Sequence, residues 1–277
     1  MASDYERLRL RVEDGVAFVT LANPPLNVMT LPLFGELARL SLEVAADDAV
    51  RALVLRSDDP DFWIAHFDVE ALLGFPISAP AERAKQVDDN PFHAMCERFR
   101  RMPKAVIAEL GGRVGGGGSE LALSCDMRFG ARGRTVINQP EVALGILPGG
   151  SGTQRWPRLV GRGRALEAIL GCEDIDADTA ERWGYLNRAL EPGELRPFVE
   201  RLARRIAAFP ERAVALAKQS VLAAEPDGSA GLLDESFGFQ QLLRTPEAQR
   251  LMRRFLERGG QTREGERRLG ALCTELD

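Results

Sequence analysis

Short apolar runs alternate with helix-like segments along the first half of the chain. Residues 16–21, 51–56 and 105–110 are rich in β-branched or aliphatic side chains and are followed by turn residues or glycines, a pattern that predicts strands. Between the first two runs, residues 31–46 carry apolar side chains at helical spacing, which predicts a helix. A strand, a helix and a second strand in this order favour a parallel pair joined by a right-handed crossover. The pattern therefore predicts a mixed α/β core.

The second half of the chain is dominated by helix-like segments rich in Ala, Leu, Arg and Glu and separated by Gly or Pro. We predict helices at 163–170, 176–183, 196–208, 211–224, 232–243 and 246–257. This change of character places a boundary near residue 205, between an α/β core at 1–205 and a helical C-terminal oligomerisation region at 206–277. The polar stretch 79–90 is predicted to be a mobile surface segment, and the charged stretch 259–277 a partly ordered arm or a partner contact.

Composition and charge narrow the function classes. The chain has 277 residues, 45% of them hydrophobic and 28% charged, which is typical of one soluble globular unit large enough to bury a substrate pocket. With 36 basic and 41 acidic residues the net charge is −5, which argues against nucleic acid as a main partner. No apolar run approaches the length of a membrane span, and the charged N-terminus is unlike a signal peptide. We expect no membrane partner.

The cysteines and histidines also limit the chemistry. Four cysteines are widely scattered and none forms a C-x-x-C pair, which predicts free thiols in a reducing compartment such as the cytoplasm. The chain has only two histidines, so a metal centre built from His and Cys ligands is not expected.

A glycine-rich stretch follows the third apolar run and precedes a predicted helix at 119–125. Six of the eight residues 111–118 are glycine, which suits a backbone that approaches a ligand closely. A dinucleotide fingerprint fails because Glu120 and Leu121 stand where its last glycine would be, and no Gly-Lys-Ser/Thr follows for a P-loop. Two interpretations stay open: an oxyanion hole formed by free amides at the helix start, or a tight turn that lets the helix pack on the sheet.

Two carboxylates follow this stretch. Glu120 lies in the first turn of the predicted helix, where an acidic side chain is also a common helix-dipole partner. Glu141 comes directly after Pro140, which fixes the backbone ahead of it. Two carboxylates beside an oxyanion hole suit acid–base chemistry on water, because like charges raise one pKa and separate the two roles.

Three segments together resemble the crotonase superfamily, also called the enoyl-CoA hydratase/isomerase family: 103–108, 116–126 and 139–155. Weaker matches lie at 23–27 and 63–72, so that the resemblance covers about residues 10–205. It implies a crotonase-like spiral of β-β-α turns, with a C-terminal helical region that packs between subunits of a homotrimer or a dimer of trimers. It also implies an acyl-CoA thioester as substrate and no cofactor, since coenzyme A is part of the substrate.

The resemblance carries roles over to individual positions. Phe67 and Gly117 match the two residues whose backbone N–H groups form the oxyanion hole for the thioester enolate. Glu120 and Glu141 match the two positions that hold and activate the water adding across C2=C3, and Gly149 matches a backbone N–H that orients this water. Both carboxylates are present, which favours hydration.

Two further residues near this set are expected to position water or substrate. Gly116 directly precedes the oxyanion-hole glycine. His66 stands where the family commonly has glycine, so the chain loses easy access to positive φ at that point. Its side chain either contacts the substrate or is tolerated in a turn.

The sequence therefore predicts an enoyl-CoA hydratase that adds water to a 2-enoyl-CoA thioester. Two alternatives stay open at this point: an enoyl-CoA isomerase or another enolate reaction of a CoA thioester, and a catalytically idle acyl-CoA-binding subunit of an oligomer.

Overall fold

The computed structural model describes residues 4–82 and 90–276 and contains two sheets. A six-stranded sheet has the order β1-β2-β3-β5-β7-β10, and a four-stranded sheet has the order β4-β6-β8-β9. Neighbouring strands are parallel except in the β1/β2 and β8/β9 pairs. The strands are β1 Leu8–Glu13, β2 Val16–Leu21, β3 Ala52–Ser57, β4 Phe62–Ile64, β5 Ala105–Leu110, β6 Arg113–Gly115, β7 Met127–Ala131, β8 Val136–Asn138, β9 Ile175–Asp176 and β10 Arg188–Leu190.

The helices alternate with strand pairs in the first half and follow one another in the second. They are α1 Leu31–Ala46, α2 Val69–Leu73, α3 Pro91–Arg101, α4 Gly116–Leu123, α5 Gly152–Val160, α6 Arg162–Gly171, α7 Ala177–Trp183, α8 Pro192–Ala207, α9 Glu211–Leu222, α10 Ser229–Leu243, α11 Pro246–Glu257, α12 Arg263–Arg267 and α13 Leu269–Cys273. Among these described elements, no helix is both long and apolar enough to span a bilayer.

The chain forms a spiral of β-β-α turns. In the units β3-β4-α2 and β5-β6-α4, the first strand joins the large sheet, the second joins the small sheet and a helix follows. In the next unit, β7 likewise joins the large sheet and β8 joins the small sheet. Because β4 and β6 are parallel neighbours in the small sheet, their C-terminal ends lie at the same edge of that sheet. The helices that follow them, α2 and α4, therefore begin close together. This edge is where the candidate site lies.

The inner strands of the large sheet are buried on both faces, which explains why β2, β3 and β5 are mainly apolar. Along β3, Leu53 packs in the cluster that includes Leu37 of α1, whereas Val54 packs in the cluster that includes Val199 of α8. The parallel pairing of β2 with β3 aligns Val16 with Ala52, so the predicted parallel pair joined through α1 is confirmed.

Several predicted elements differ from the structure. The helix expected at 119–125 begins at Gly116, so three glycines of the predicted loop form its first turn. The expectation of a partly ordered arm at 259–277 is wrong for the described part, because it contains α12 and α13 and buries Glu266, Leu269 and Leu272. Of the predicted mobile segment 79–90, residues 83–89 lie outside the described residues. The four cysteines are free thiols, as predicted.

Candidate active site

A cavity of about 310 Å³ opens where α2, α4 and α10 converge. Six of the predicted site residues line it: His66, Phe67, Gly117, Glu120, Glu141 and Gly149. Gly116, the seventh, is buried next to them. Much of the remaining wall is apolar and includes Phe34, Phe75, Phe92, Phe239, Leu144 and Ile146. The cavity thus combines an apolar wall with two buried carboxyl groups, as expected of a site that binds a small substrate.

Glu120 projects from α4 and is held by the turn that precedes α5. Its Oε1 atom accepts hydrogen bonds from the backbone N–H groups of Gly150 at 2.8 Å and Gly152 at 2.7 Å. Burial raises the pKa of Glu120 well above its usual value, and the negative charges of Glu141 and Glu235 raise it further. The two amide donors oppose this effect without cancelling it.

Glu141 begins a short 3₁₀ turn, Glu141–Leu144, on the other side of the cavity. Its Oε2 atom accepts a hydrogen bond from Nε2 of Gln139 at 3.1 Å, and the Trp156 indole donates to Oε1 of Gln139 at 3.1 Å. Because an indole N–H can only donate, it fixes the orientation of the Gln139 amide. Burial raises the pKa of Glu141 to about 7, although its own backbone amide and the charge of His66 lower it.

The amides of Phe67 and Gly117 lie close together on this wall. Gly117 is the second residue of α4, so its N–H has no intrahelical acceptor. In the parallel bridge to Phe67, Met29 N donates to His66 O at 2.8 Å and Asp68 N donates to Met29 O at 3.1 Å, which directs the Phe67 N–H the other way. Within residues 4–82 and 90–276, neither amide donates to a protein acceptor. A Cβ atom added to Gly117 would lie 3.2 Å from Cβ of Phe67.

The turn that carries Gly149 is held from its other side by Glu235 of α10. Glu235 accepts from the backbone N–H groups of Ser151 at 2.6 Å and Thr153 at 2.9 Å, and from the Thr153 hydroxyl. Nε2 of His93 lies 2.9 Å from its Oε1. Sequence reasoning missed Glu235, because α10 carries no motif that marks it.

The structure shows bonds of His66 that neither of its two predicted alternatives included, and substrate contact stays a prediction. Its backbone is not among those with positive φ, so the histidine needs no glycine-like conformation. Its ring is buried, with Nδ1 2.7 Å from Phe67 O and Nε2 2.9 Å from Oε1 of Glu266. Both ring nitrogens therefore face protein acceptors. Sequence reasoning also missed Glu266, which lies 200 positions away in the stretch predicted to be an arm.

Comparison with known proteins agrees with this architecture. A family model described as enoyl-CoA hydratase/isomerase matches residues 11–265. The chain is 32% identical to a short-chain-enoyl-CoA hydratase of Clostridium acetobutylicum, over 90% of this chain and 94% of the relative. It is 32% identical to a crotonyl-CoA hydratase of Syntrophomonas wolfei, over 92% of this chain and 96% of the relative. A crystal structure from Streptomyces avermitilis, provisionally named an enoyl-CoA hydratase, superposes with a TM-score of 0.88 at 39% identity, covering 98% of both chains.

The fold is therefore that of the crotonase superfamily, as the sequence predicts. The chain belongs to the enoyl-CoA hydratase/isomerase family, whose enzymes act on acyl-CoA thioesters.

Proposed function

We propose that the chain is an enoyl-CoA hydratase that adds water across the C2=C3 bond of a 2-enoyl-CoA. One observation carries this proposal: Glu120 and Glu141 line the same cavity as Phe67 and Gly117, whose amides have no protein acceptor within the described residues. A reaction that builds negative charge on a carbonyl oxygen needs such donors, and one that moves two protons needs two acid–base groups.

In the proposed reaction, the thioester oxygen accepts hydrogen bonds from the Phe67 and Gly117 amides. The carbonyl then becomes a better electron sink, so the C2=C3 π electrons shift towards the thioester as water attacks C3. The enolate charge develops on the oxygen between the two amides. Because Gly117 is at the start of α4, the helix dipole favours this charge as well.

The two carboxyl groups handle the protons. One carboxylate accepts a proton from water as the C3–O bond forms, and the other carboxylic acid donates a proton to C2 as the enolate collapses. We expect the Gly149 amide to orient the water. Burial raises the pKa of both groups, and the charge of Glu141 raises that of Glu120 further, so that the pair keeps one proton near neutral pH. One acid and one base are then present together without a cofactor.

The test is hydration of crotonyl-CoA, followed by loss of the conjugated enoyl absorbance. Glu120→Gln and Glu141→Gln should each lower kcat by about 10²–10⁴-fold, because each removes one proton-transfer group while keeping the shape of the side chain. Calorimetry with the unreactive butyryl-CoA should show unchanged binding. The exposed residue Glu194 provides a matched control, and Glu194→Gln should leave turnover intact.

Other outcomes separate the alternatives. If the double bond moves without water being added, the chain is an isomerase. Butyryl-CoA binding without turnover of any enoyl-CoA would instead indicate an idle binding subunit.

We also propose an assembly for the chain. α9 has no buried residue, exposes Leu216 and Val221, and borders a cavity of about 570 Å³. These features support a homotrimer or a dimer of trimers in which 206–277 makes subunit contacts, and light scattering on the purified chain tests it. A cytoplasmic location and the boundary near residue 205 stay predictions.

A further inference from the structure

The ring of His66 is bonded at both nitrogens to acceptors inside the protein. Nδ1 faces the carbonyl oxygen of Phe67 at 2.7 Å, and Nε2 faces Oε1 of Glu266 at 2.9 Å. A carbonyl oxygen can only accept, so Nδ1 carries a proton. Oε1 of Glu266 also accepts the backbone N–H of Gln261 at 2.8 Å, which favours the carboxylate. The arrangement therefore fits an imidazolium paired with a carboxylate.

The pKa values of His66 and Glu266 agree with a charged pair. Burial alone would lower the pKa of His66, but the Glu266 charge and hydrogen bond raise it to about 9. Burial raises the pKa of Glu266, but the interactions with His66 outweigh it and leave the pKa below its usual value. Arg113, which also faces Glu266, acts in the same direction.

The charge of His66 lies beside Glu141. Gly116 separates them: a Cβ atom at that position would lie 2.7 Å from Oε1 of Glu141 and 3.1 Å from Cβ of His66. Apart from His66, the charges with the largest effect on the pKa values of Glu141 and its partner Glu120 are other carboxylates, including Glu235 of α10. His66 therefore supplies a positive charge that partly offsets this cluster of buried carboxyl groups.

The segment that supplies Glu266 is anchored on the core. Arg263 of α12 bonds Asp61 at 2.5 Å, and Arg267 bonds the same carboxylate at 2.6 Å. The side chain of Gln261 accepts the backbone N–H of Val69 at 2.7 Å, which ties the segment to the start of α2. These contacts hold the Glu266 carboxylate in place at Nε2 of His66.

We propose that Glu266 and His66 form a positioning pair, a fixed cation completed by the C-terminal segment, whose positive charge stabilises the ionised form of Glu141 within the carboxyl pair. This inference rests on the proposed hydratase function. Neither His66 nor Glu266 transfers a proton to the substrate; both act through Glu141.

The first test is the pH profile of crotonyl-CoA hydration. In Glu266→Gln and His66→Gln the acidic limb of kcat/KM should move to higher pH by about one unit. At pH values below the limb, kcat/KM should then be about tenfold lower than in the wild type, and this loss should disappear as the pH rises. Glu275 provides a matched control, because it is half-exposed and paired with Arg268 in the same C-terminal segment. Glu275→Gln should leave the profile unchanged. An equal loss at every pH would indicate a structural role and overturn the proposal.

The second test does not need turnover. The chain has two histidines, so ring resonances in a ¹⁵N-histidine sample come from His66 and His93, and those missing from His66→Gln belong to His66. They should titrate near pH 9 in the wild type. They should titrate at lower pH in Glu266→Gln and also in Glu141→Gln, since both variants remove a nearby negative charge. An unchanged titration in Glu141→Gln overturns the coupling, whereas absence of hydration with a normal titration overturns the proposed function instead.

Discussion

The carboxylate of Glu141 occupies the space that a side chain on residue 116 would need. Gly116 has φ of +44°, and a Cβ atom there would lie 2.7 Å from Oε1 of Glu141. Glycine is required at this position twice over, for its backbone and for the close approach.

Gly116→Ala should therefore displace Glu141 and lower kcat/KM by about 10²-fold, the loss expected for a misplacement near 1 Å. The control is Gly133→Ala, since Gly133 also has positive φ, at +71°, but has no atom within 4 Å of an added Cβ. Both variants should lose about 1–2 kcal/mol of unfolding free energy from backbone strain, measured by urea denaturation. Only Gly116→Ala should lose activity; equal activities in the two variants would contradict the role of the close contact.

The Gly117 amide can be removed without removing its helix. Proline is tolerated in the first turn of a helix but has no N–H. Gly117→Pro should lower kcat by about 10²–10³-fold relative to Gly117→Ala, which adds a Cβ but keeps the donor. Circular dichroism checks that both variants keep their helix content. A Gly117→Pro enzyme as fast as Gly117→Ala would exclude this amide from the oxyanion hole.

The pH dependence of kcat/KM follows from the raised pKa values of the carboxyl pair. Below about pH 7 both Glu141 and Glu120 are protonated, so no base is available. Activity should rise as the pH passes about 7 and fall again as the pair loses its second proton. Crotonyl-CoA hydration between pH 5.5 and 9.5 at constant ionic strength would measure both limbs. A rise centred near pH 4–5 would mean that the pair titrates like exposed glutamates.

Glu235 should influence substrate binding through α10. Its carboxylate accepts from two backbone amides and a hydroxyl, so the NH₂ group of Gln would face donors in Glu235→Gln. We expect a loss of about 1.5–3 kcal/mol in unfolding free energy. KM should rise more than kcat falls, because α10 contributes Ser236, Phe239 and Gln240 to the cavity wall. Glu257→Gln, at an exposed position of α11, is the control and should change neither constant.

The sequence predicts the large sheet well because its inner strands are buried on both faces. Runs such as 105–110 are apolar without interruption, and this pattern needs no tertiary information. The first strand, β1, was missed although Leu8, Leu10 and Val12 alternate with charged residues, which is the pattern of a strand with one apolar face; its position at the edge of the sheet leaves most of it exposed or half-buried. A short edge strand of this kind is defined by its partner β2 as much as by its own residues.

At the start of α4, tertiary packing overrides the low helix propensity of the glycines. Glycines favour a loop, so the sequence predicts the helix only from Ser119. In the fold, Gly118 packs against the backbone oxygen of Ile64, where a Cβ atom would be 2.5 Å away. This close approach brings α4 onto β4 and allows the helix to begin at Gly116.

The residues of the candidate site also differ in how far the sequence indicates them. Glu120 and Glu141 stand out beside the glycine-rich stretch and after Pro140, whereas Phe67 and Gly117 are indicated only by the resemblance of their segments to the family. Gln139 lay within one of these motifs and could have been singled out as a neighbour of Glu141. Glu235 and Glu266 reach the site from distant helices, and nothing local in the sequence indicates which acidic residue of a helix faces inward.

The 200 positions between His66 and Glu266 have a consequence during translation. A ribosome makes both sheets and both site glutamates well before it adds the partner of His66. A nascent chain at that stage already holds the buried acids but lacks the anion that keeps the imidazole charged. The charged pair next to Glu141 therefore forms last, when α12 packs against the core. We expect a chain that lacks this segment to have lower activity.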